Sequence, residues 1–358
     1  MLKIVTIIGA RPQFIKASIV SKTFKESDFI NETIIHTGQH FDFNMDRIFF
    51  NELSIPIPKY NLNINSVSHG EMTGRMIIDL EKLLLQEKPD LVLVYGDTNS
   101  TLAGALAAKK LHVKIIHVEA GLRSFNMRMP EEVNRVLTDR ISDILFCPTV
   151  KAVANLENEG FNNFDCKVIK NGDVMFDLAL RSKKIIDDLK FPIRKFKNQK
   201  FILCTIHREE NTNDAEKLKS ILNALNRIAN EIEIILPLHP RSNKSIDSNK
   251  TKLNFKTYDP LGYLDMLKLL KHCALVITDS GGLQKEAFFF KKNCVTLREQ
   301  TEWTELVENG FNVLAGSNEN IIYDSYKAMI HKNNNFDINL YGNGNASQII
   351  LDTLYELQ

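Results

Sequence analysis

Short apolar runs rich in β-branched residues alternate with longer amphipathic stretches along most of the chain. This alternation is typical of βαβ units, in which buried parallel strands are joined by helices. Residues 215–230 show the helical periodicity that such a connection requires. The runs predicted as strands are residues 4–9, 33–37, 91–96, 115–119 and 145–147 in the first half, and residues 201–205, 233–238, 275–278 and 294–297 in the second.

The pattern begins a second time near residue 201, after a polar stretch at about 171–199 in which residues 173–189 look helical and Pro192 marks a break. At about 150 residues per domain, a length of 358 residues also favours two domains. We therefore predict an α/β protein with two Rossmann-like parallel-sheet domains, residues 1–172 and 173–342, facing a cleft. A last helix is predicted at about 346–357.

Composition and charge narrow the classes of function. Hydrophobic residues make up 44% of the chain and charged residues 25%, which is typical of a globular protein. Lys and Arg number 45 against 44 Asp and Glu, so the formal charge of +1 provides no broad field for nucleic acid or an anionic membrane. Any anionic ligand must therefore be bound by local groups.

The chain shows no sign of membrane insertion or export. Its apolar runs are shorter than the roughly 18 residues that cross a bilayer. The apolar start is followed at once by Arg11 and Pro12, without a small-residue cleavage site. The five cysteines are widely separated and form no C-x-x-C pair, which predicts neither a disulfide framework nor a zinc knuckle and favours the cytoplasm.

One predicted strand end carries groups suited to a phosphate, in the place where open parallel sheets bind ligands. Ser280, Gly281 and Gly282 open a helix, so its free N–H groups and positive dipole end would face a phosphate. Glu286 could then reach a ribose diol. A tight turn in which glycine only permits positive φ remains an alternative. The chain lacks the G-x-G-x-x-G and P-loop motifs, which disfavours a dinucleotide oxidoreductase or a P-loop NTPase.

Cations and histidines accompany further strand ends. Arg11 and Lys16 lie at the helix start after the first strand, where surface cations would oppose the helix dipole. His207 with Arg208, and His239 with a following arginine, come after two strands of the second half. Arginine disfavours a bound metal cation, so phosphate contacts fit these histidines better than metal ligation.

Carboxylates form the remaining group of strand-end residues. Asp97 follows one strand and could be only a helix cap. Glu119 ends the next strand, and a carboxylate there is costly unless it is paired or used. Glu131 and Arg135 are four residues apart in a predicted helix, a pairing that is usually only surface decoration.

Taken together, these residues resemble the non-hydrolysing UDP-N-acetylglucosamine 2-epimerase family over about residues 3–315. No single motif would suffice, but the ordered set is specific. The matching segments are residues 9–12 (GARP), 36–40 (HTGQH), 96–98 (GDT), 117–123 (HVEAGLR), 130–132 (PEE) with 134–135 (NR), 205–211 (TIHREEN) and 278–284 (TDSGGLQ).

The resemblance implies the GT-B fold of nucleotide-sugar glycosyltransferases, with the C-terminal helix at 343–358 joining the first domain. It implies a cofactor-free, metal-free inversion at C2, through loss of the C2 proton and of UDP to give a bound 2-acetamidoglucal. The expected partners are the UDP-2-acetamido sugar, UDP and a second copy of the chain. The implied catalytic residues are Asp97, Glu119, Glu131, Lys16, Arg135 and His207, and the implied substrate-binding residues are Arg11, Arg208, His239, Ser280, Gly281, Gly282, Glu286, Arg298 and Trp303.

Two segments depart from the family pattern. Members acting on UDP-N-acetylglucosamine commonly read T-E-R-P-E, whereas residues 301–305 read T-E-W-T-E. Trp303 therefore replaces a cation on the sugar side of the site. This variant resembles the branch that acts on UDP-2,3-diacetamido-2,3-dideoxy-glucuronate, and Arg298 and Arg128 are nearby cations that could compensate. Residues 66–70 lack the Gln/Arg pattern associated with substrate activation in some relatives, so no such activation is predicted.

The main interpretation is interconversion of UDP-GlcNAc and UDP-ManNAc, with the same inversion on a decorated sugar as its alternative. A GT-B glycosyltransferase, a hydrolysing epimerase and a non-catalytic nucleotide-sugar-binding protein remain as further alternatives. An acceptor requirement, irreversible release of UDP, or binding without proton exchange would distinguish these three from the epimerase.

Overall fold

The computed structural model describes residues 1–39, 52–53, 55–238, 246, 249 and 251–357. The chain forms two compact units. Unit 1 comprises Met1–Leu180 and Asn339–Gln358, and unit 2 comprises Arg181–Ile338. Both units are parallel α/β structures, which confirms the predicted fold class.

The described part of unit 1 contains a seven-stranded parallel sheet in the order β3-β2-β1-β4-β5-β6-β7. Its central strands are almost wholly apolar and buried, as expected of strands covered on both faces. The strands are β1 (Leu2–Ile8), β2 (Ile30–His36), β3 (Tyr60–Asn61), β4 (Leu91–Tyr95), β5 (Lys114–Val118), β6 (Ile144–Cys147) and β7 (Lys167–Lys170).

Helices that connect these strands supply the rest of the core of unit 1. One cluster joins side chains of β1, β2 and β4 to methionine and leucine residues of α2 and alanine residues of α3. The helices are α1 (Arg11–Lys25), α2 (His69–Glu87), α3 (Asn99–Lys110), α4 (Pro130–Ile141), α5 (Val150–Asn158) and α6 (Val174–Asp188), followed at the end of the chain by α13 (Ala346–Tyr355).

The described part of unit 2 contains a six-stranded parallel sheet in the order β10-β9-β8-β11-β12-β13. Its strands are β8 (Phe201–Thr205), β9 (Glu233–Pro237), β10 (Thr257–Tyr258), β11 (Leu275–Thr278), β12 (Cys294–Thr296) and β13 (Asn312–Leu314). Its helices are α7 (Glu209–Thr212), α8 (Ala215–Ala229), α9 (Tyr263–His272), α10 (Gly281–Phe289), α11 (Thr304–Glu308) and α12 (Glu319–Ile330).

The last helix, α13, packs on α1 within unit 1. The buried carboxylate of Asp177 in α6 accepts hydrogen bonds from the backbone N–H groups of Ala346 (3.0 Å) and Ser347 (2.8 Å). It also accepts one from the Ser347 hydroxyl (2.8 Å). These bonds satisfy donors at the start of α13 that have no partner inside the helix.

Each sheet has a point at which the strand order reverses. In unit 1 it lies between β1 and β4, and in unit 2 it lies between β8 and β11. Open parallel sheets bind ligands beyond the carboxyl ends of the strands at such switch points. Turns after these strands carry Arg11, Asp97, His207 and Ser280, so the fold places four of the predicted site residues there.

Candidate active site

A buried glutamine fixes the turn between β1 and α1. Gln13 Oε1 accepts hydrogen bonds from the backbone N–H groups of Gly9 (2.8 Å) and Ala10 (3.0 Å). Its Nε2 donates to the carbonyl oxygen of Tyr95 (2.9 Å), the last residue of β4. Gln13 therefore joins the two strand ends that flank the switch point of unit 1.

Lys16 and Glu119 form a buried ion pair at the same edge of the sheet. Their side chains are only 8% and 7% exposed. Lys16 lies in the second turn of α1 and Glu119 directly follows β5. The backbone of Glu119 has φ of 75°, a region that non-glycine residues adopt rarely and at a cost. The hydrogen bond from Glu119 N to Phe146 O (3.1 Å) helps to hold it there.

Gly96 lies against this ion pair. It has φ of 63°, and a Cβ atom there would lie 3.0 Å from Lys16 Nζ and 3.2 Å from Glu119 Oε2. A larger residue would therefore be strained and would crowd the pair. Asp97 follows, so the turn after β4 carries a second carboxylate at the same edge of the sheet.

Asp97 is not a helix cap, so that alternative is wrong. Thr98 is the N-cap of α3, and its hydroxyl accepts from Thr101 N (3.3 Å). The Asp97 carboxylate instead binds Arg135 Nη2 at 2.5 Å, and Asn134 Nδ2 donates to its backbone carbonyl (2.9 Å). Two successive residues of α4 therefore bind Asp97, one through its backbone carbonyl and the other through its carboxylate.

The ion pairs of Arg135 differ from the predicted i,i+4 pairing with Glu131. Arg135 binds Asp97 and also Glu132, three residues before it (3.2 Å). The Glu132 carboxylate also accepts from the backbone of Ser124 (2.9 Å) and Phe125 (2.8 Å), and so orders the loop before α4. Glu131 itself is half-buried in the first turn of α4, and Arg11 is half-buried at the first position of α1.

In unit 2, a fully buried aspartate organises the turn after β8. Asp279 accepts hydrogen bonds from the backbone N–H groups of His207 (3.0 Å) and Arg208 (3.0 Å) and from the Asn211 amide (3.2 Å). His207 Nδ1 lies 2.8 Å from Asp279 Oδ1, while 53% of the histidine side chain is exposed. Burial opposes ionisation of Asp279, but the charge and hydrogen bonds of His207 together with these donors hold its pKa below the ordinary value. Asp279 therefore fixes the His207 ring with Nε2 available to a ligand.

Helix α10 begins directly after β11. Ser280 is its N-cap, with a hydroxyl that accepts from Leu283 N (3.3 Å). Gly281 and Gly282 form the first turn, where N–H groups lack partners inside the helix. Glu286, on the following turn, accepts a hydrogen bond from the Tyr263 hydroxyl (2.8 Å). This is the geometry of an anion-binding helix start with a carboxylate close behind it.

The segment after β12 packs against the start of α10. A Cβ atom on Gly281 would lie 2.5 Å from Glu302 Oε1 and 3.6 Å from Trp303 Nε1. Trp303 is buried, with Lys285 Nζ at 4.1 Å from its ring centroid. Arg298 is buried as well and its Nη2 pairs with Glu302 Oε2 (3.0 Å). Within the described residues, Arg298 Nη1 makes no hydrogen bond. The predicted site residue His239 lies outside the described residues.

The described residues show neither a metal-ligand cluster nor a membrane-spanning helix. In the part of the chain that the structure describes, no group of three or more His, Cys, Asp or Glu residues is arranged to hold a metal ion. None of the helices described here combines the length and the apolar character needed to cross a bilayer.

Sequence reasoning missed Gln13, Glu132 and Asp279 as organisers of the site. A signal existed for two of them: Gln13 occupies the third position of a helix that follows a strand, and Asp279 is a charged residue directly after a buried strand. Glu132 had no comparable signal, because its partners lie in a loop without regular structure.

Comparison with known proteins places this geometry in a family. The family model described as UDP-N-acetylglucosamine 2-epimerase matches residues 22–355. A UDP-2,3-diacetamido-2,3-dideoxy-D-glucuronate 2-epimerase from Pseudomonas aeruginosa is 56% identical, over 99% of this chain and 100% of that protein. A UDP-N-acetylglucosamine 2-epimerase from Methanococcus maripaludis is 45% identical, over 99% of each chain.

Solved structures agree with these relatives. The crystal structure of Methanocaldococcus jannaschii UDP-GlcNAc 2-epimerase in complex with UDP-GlcNAc and UDP matches with a TM-score of 0.93 and 43% identity, covering 99% of this chain and 100% of that one. Two parallel-sheet units of this kind make up a GT-B-like fold, which the chain shares with this epimerase. The chain belongs to the UDP-N-acetylglucosamine 2-epimerase family, a family of isomerases, and the resemblance seen in the sequence is confirmed.

Proposed function

We propose that this protein is a non-hydrolysing 2-epimerase of a UDP-2-acetamido sugar, and that its sugar is 2,3-diacetamido-2,3-dideoxy-glucuronate. The observation that carries the proposal is the pair of carboxylates at neighbouring strand ends, Glu119 bound to Lys16 and Asp97 bound to Arg135. The 56% identity to the Pseudomonas aeruginosa enzyme over the full chain supports this sugar.

The reaction needs both the carboxylates and the cations. One carboxylate takes the C2 proton while the C1–O bond breaks, the electron pair of that bond leaves with UDP, and a 2-acetamidoglucal remains. A proton then returns to the other face of C2 as UDP re-adds at C1. Because no carbonyl acidifies the C2 proton, stabilisation of the leaving diphosphate has to lower much of the barrier. Asp97, Glu119 and Glu131 are the proposed acid and base groups.

Unit 2 carries the groups we assign to UDP. The start of α10 offers the N–H groups of Gly281 and Gly282. His207 offers Nε2 from the turn after the neighbouring strand of the sheet. Arg298 supports the assignment because a guanidinium nitrogen buried without a partner in the described residues is costly, and an anionic ligand would satisfy it. Glu286 is the proposed ribose contact.

A second substrate is favoured by separate observations. The family model and the 45% identical Methanococcus maripaludis protein are both named for UDP-N-acetylglucosamine. The same elimination and re-addition would interconvert UDP-GlcNAc and UDP-ManNAc. The two candidates differ in the carboxylate and the second acetamido group of the sugar, not in the chemistry at C2.

Deuterium exchange tests the function and the substrate together. The protein is incubated in D2O with each sugar nucleotide separately, without acceptor or cofactor, and loss of the C2 proton signal is followed by NMR. We expect exchange with both substrates to leave the UDP-sugar intact, with the larger kcat/KM for the diacetamido-uronate. No exchange with either substrate contradicts the epimerase, and steady release of free UDP indicates a hydrolase.

Asp97→Asn provides the residue-level test. Acid and base groups contribute about 10²- to 10⁴-fold, so exchange should fall by at least about 10²-fold while UDP affinity is kept. Asp79→Asn, a matched change at a surface ion pair of α2, should leave both quantities unchanged. Exchange at the wild-type rate in Asp97→Asn would remove Asp97 from the proposed acid and base groups.

We further propose that the protein works as a homodimer in the cytoplasm and supplies a cell-envelope glycan. Exposed apolar side chains on α2 and α4, including Ile78 (58%), Leu85 (56%) and Leu137 (47%), support self-association. All five cysteines are free thiols, which is compatible with a reducing compartment. A mass measurement by light scattering, with Ile78→Glu as the disrupting variant, tests the dimer.

A further inference from the structure

A histidine that no motif singled out for chemistry lies close to two of the proposed acid–base residues, Asp97 and Glu119. His117 is fully buried in β5, two residues before Glu119. Its Nε2 lies 2.7 Å from the carbonyl oxygen of Gly96, and its Nδ1 lies 2.7 Å from Asp139 Oδ1. A carbonyl oxygen can only accept, so Nε2 must donate.

The partner of the other ring nitrogen is an ionised carboxylate. Burial alone would raise the pKa of Asp139, but hydrogen bonds and charge from His117 and Arg123 lower it below its ordinary value. Arg123 Nη1 lies 2.7 Å from Asp139 Oδ2, and Arg123 also forks onto Glu159 at 2.6 and 2.7 Å. Because Asp139 also accepts from Arg123, it holds the ring with Nδ1 towards its own carboxylate and Nε2 towards Gly96.

This buried pair joins the two strand ends that carry the proposed chemistry. Asp139 Oδ2 also accepts from Gly121 N (3.1 Å), just after Glu119, while His117 holds Gly96, just before Asp97. Gly96 and Gly121 both have positive φ, at 63° and 78°. Because glycine has the greatest backbone freedom, the hydrogen bonds to His117 and Asp139 restrict these two turns.

We propose that His117 is a positioning residue: its Nε2–H fixes the backbone of Gly96 and thereby sets Asp97 against the Lys16–Glu119 pair. The imidazole has no contact with substrate in this account and acts through the backbone. The inference rests on the proposed epimerase function.

Two isosteric variants separate positioning from simple structural support. The amide nitrogen of asparagine takes the place of Nδ1 and that of glutamine the place of Nε2. His117→Gln therefore keeps a donor for Gly96, whereas His117→Asn keeps a donor for Asp139 and releases the turn. We expect His117→Asn to lower kcat by about 10²-fold, the size of effect that small misplacement causes, with KM nearly unchanged and much of kcat restored in His117→Gln.

The opposite pattern overturns the proposal. If kcat falls in each variant only as far as its thermal stability falls, and the Gln and Asn variants have the same kcat, His117 only supports the fold. Proton-detected ¹⁵N NMR of histidine-labelled wild type gives a second readout that is independent of activity. We expect an Nε2–H signal of His117 with the shift of a hydrogen-bonded proton, and a ring without a proton on Nε2 contradicts the proposal. A wild type that exchanges no C2 proton would refute the proposed function, while the NMR result would still decide the state of His117.

Discussion

A half-buried glutamate outside the candidate site should make unit 1 less stable as the pH rises. Glu32 Oε1, in β2, accepts hydrogen bonds from the hydroxyls of Thr6 (2.6 Å) and Ser21 (3.0 Å), both of which are buried. Burial raises the pKa of Glu32 from 4.5 to about 7, and the two hydrogen bonds offset only part of that increase. The folded protein therefore prefers the protonated carboxyl group.

The sign and size of the effect follow from linkage. A pKa raised in the folded state contributes stability that is present in full below pH 4.5 and is lost as the pH rises through about 7. The shift of 7 − 4.5 = 2.5 units corresponds to about 3 kcal/mol. Glutamine keeps an oxygen for Thr6 and Ser21 but does not ionise. We expect Glu32→Gln to be more stable than wild type at about pH 8 by up to about 3 kcal/mol, and to differ far less at about pH 4.

The assay must report unit 1 alone. The single tryptophan, Trp303, lies in unit 2, so its fluorescence serves as an internal control that should not change. Hydrogen exchange of peptides from β1 and β2 gives the free energy of opening in unit 1. Glu71→Gln, at an exposed ion pair with Arg75, is the matched substitution and should change stability by no more than about 0.5 kcal/mol.

The reasoning fails if the exchange-derived free energies of wild type and Glu32→Gln change equally between these pH values. That result would mean that the Glu32 carboxyl is as well solvated in the fold as in the unfolded chain. A loss of stability in the variant at every pH would instead show that the carboxyl donates a hydrogen bond that glutamine cannot replace.

Two further substitutions test the supports described above. Asp279→Asn removes the charge that orders the His207 turn. Because hydrogen bonds to charged groups contribute about 1.5–3 kcal/mol, UDP affinity measured by calorimetry should fall roughly 10-fold or more. Unchanged affinity would show that this turn does not take part in UDP binding. Asp177→Ala removes the cap of α13 and should lower the stability of that helix by about 1 kcal/mol. Hydrogen exchange should become faster in residues 346–355 and stay unchanged in α8. Equal exchange in variant and wild type would show that packing on α1 alone holds the helix.

The core of the fold could be predicted from the sequence because its strands are continuous β-branched runs. All nine predicted strands exist, with ends that shift by at most a few residues, and the helices at 215–230 and 346–357 are confirmed as α8 and α13. The strands that were not predicted, β3, β7, β10 and β13, are short or polar segments next to or at the sheet edges. Such segments become strands because a neighbouring strand offers hydrogen-bond partners. Their own local sequence pattern therefore does not predict them.

The candidate site was predictable in position but not in its internal pairing. Residues after buried parallel strands had to gather at one edge of each sheet, which is why Lys16, Asp97 and Glu119 could be named. Their partners depend on contacts far apart in sequence, such as Asp97 with Arg135 and Lys16 with Glu119. The local i,i+4 rule therefore gave the wrong partner for Arg135.

The resting arrangement of unit 1 has a consequence for the proposed chemistry. The Glu119 carboxylate is buried, paired with the ammonium group of Lys16 and held on a backbone with positive φ. Desolvation of the buried pair and the positive φ each cost free energy. A carboxylate bound to Lys16 is a weak base, because the cation stabilises its charged form. Abstraction of an unactivated C2 proton requires a stronger one. On the proposed function, the Lys16–Glu119 ion pair therefore has to break before Glu119 can take the C2 proton.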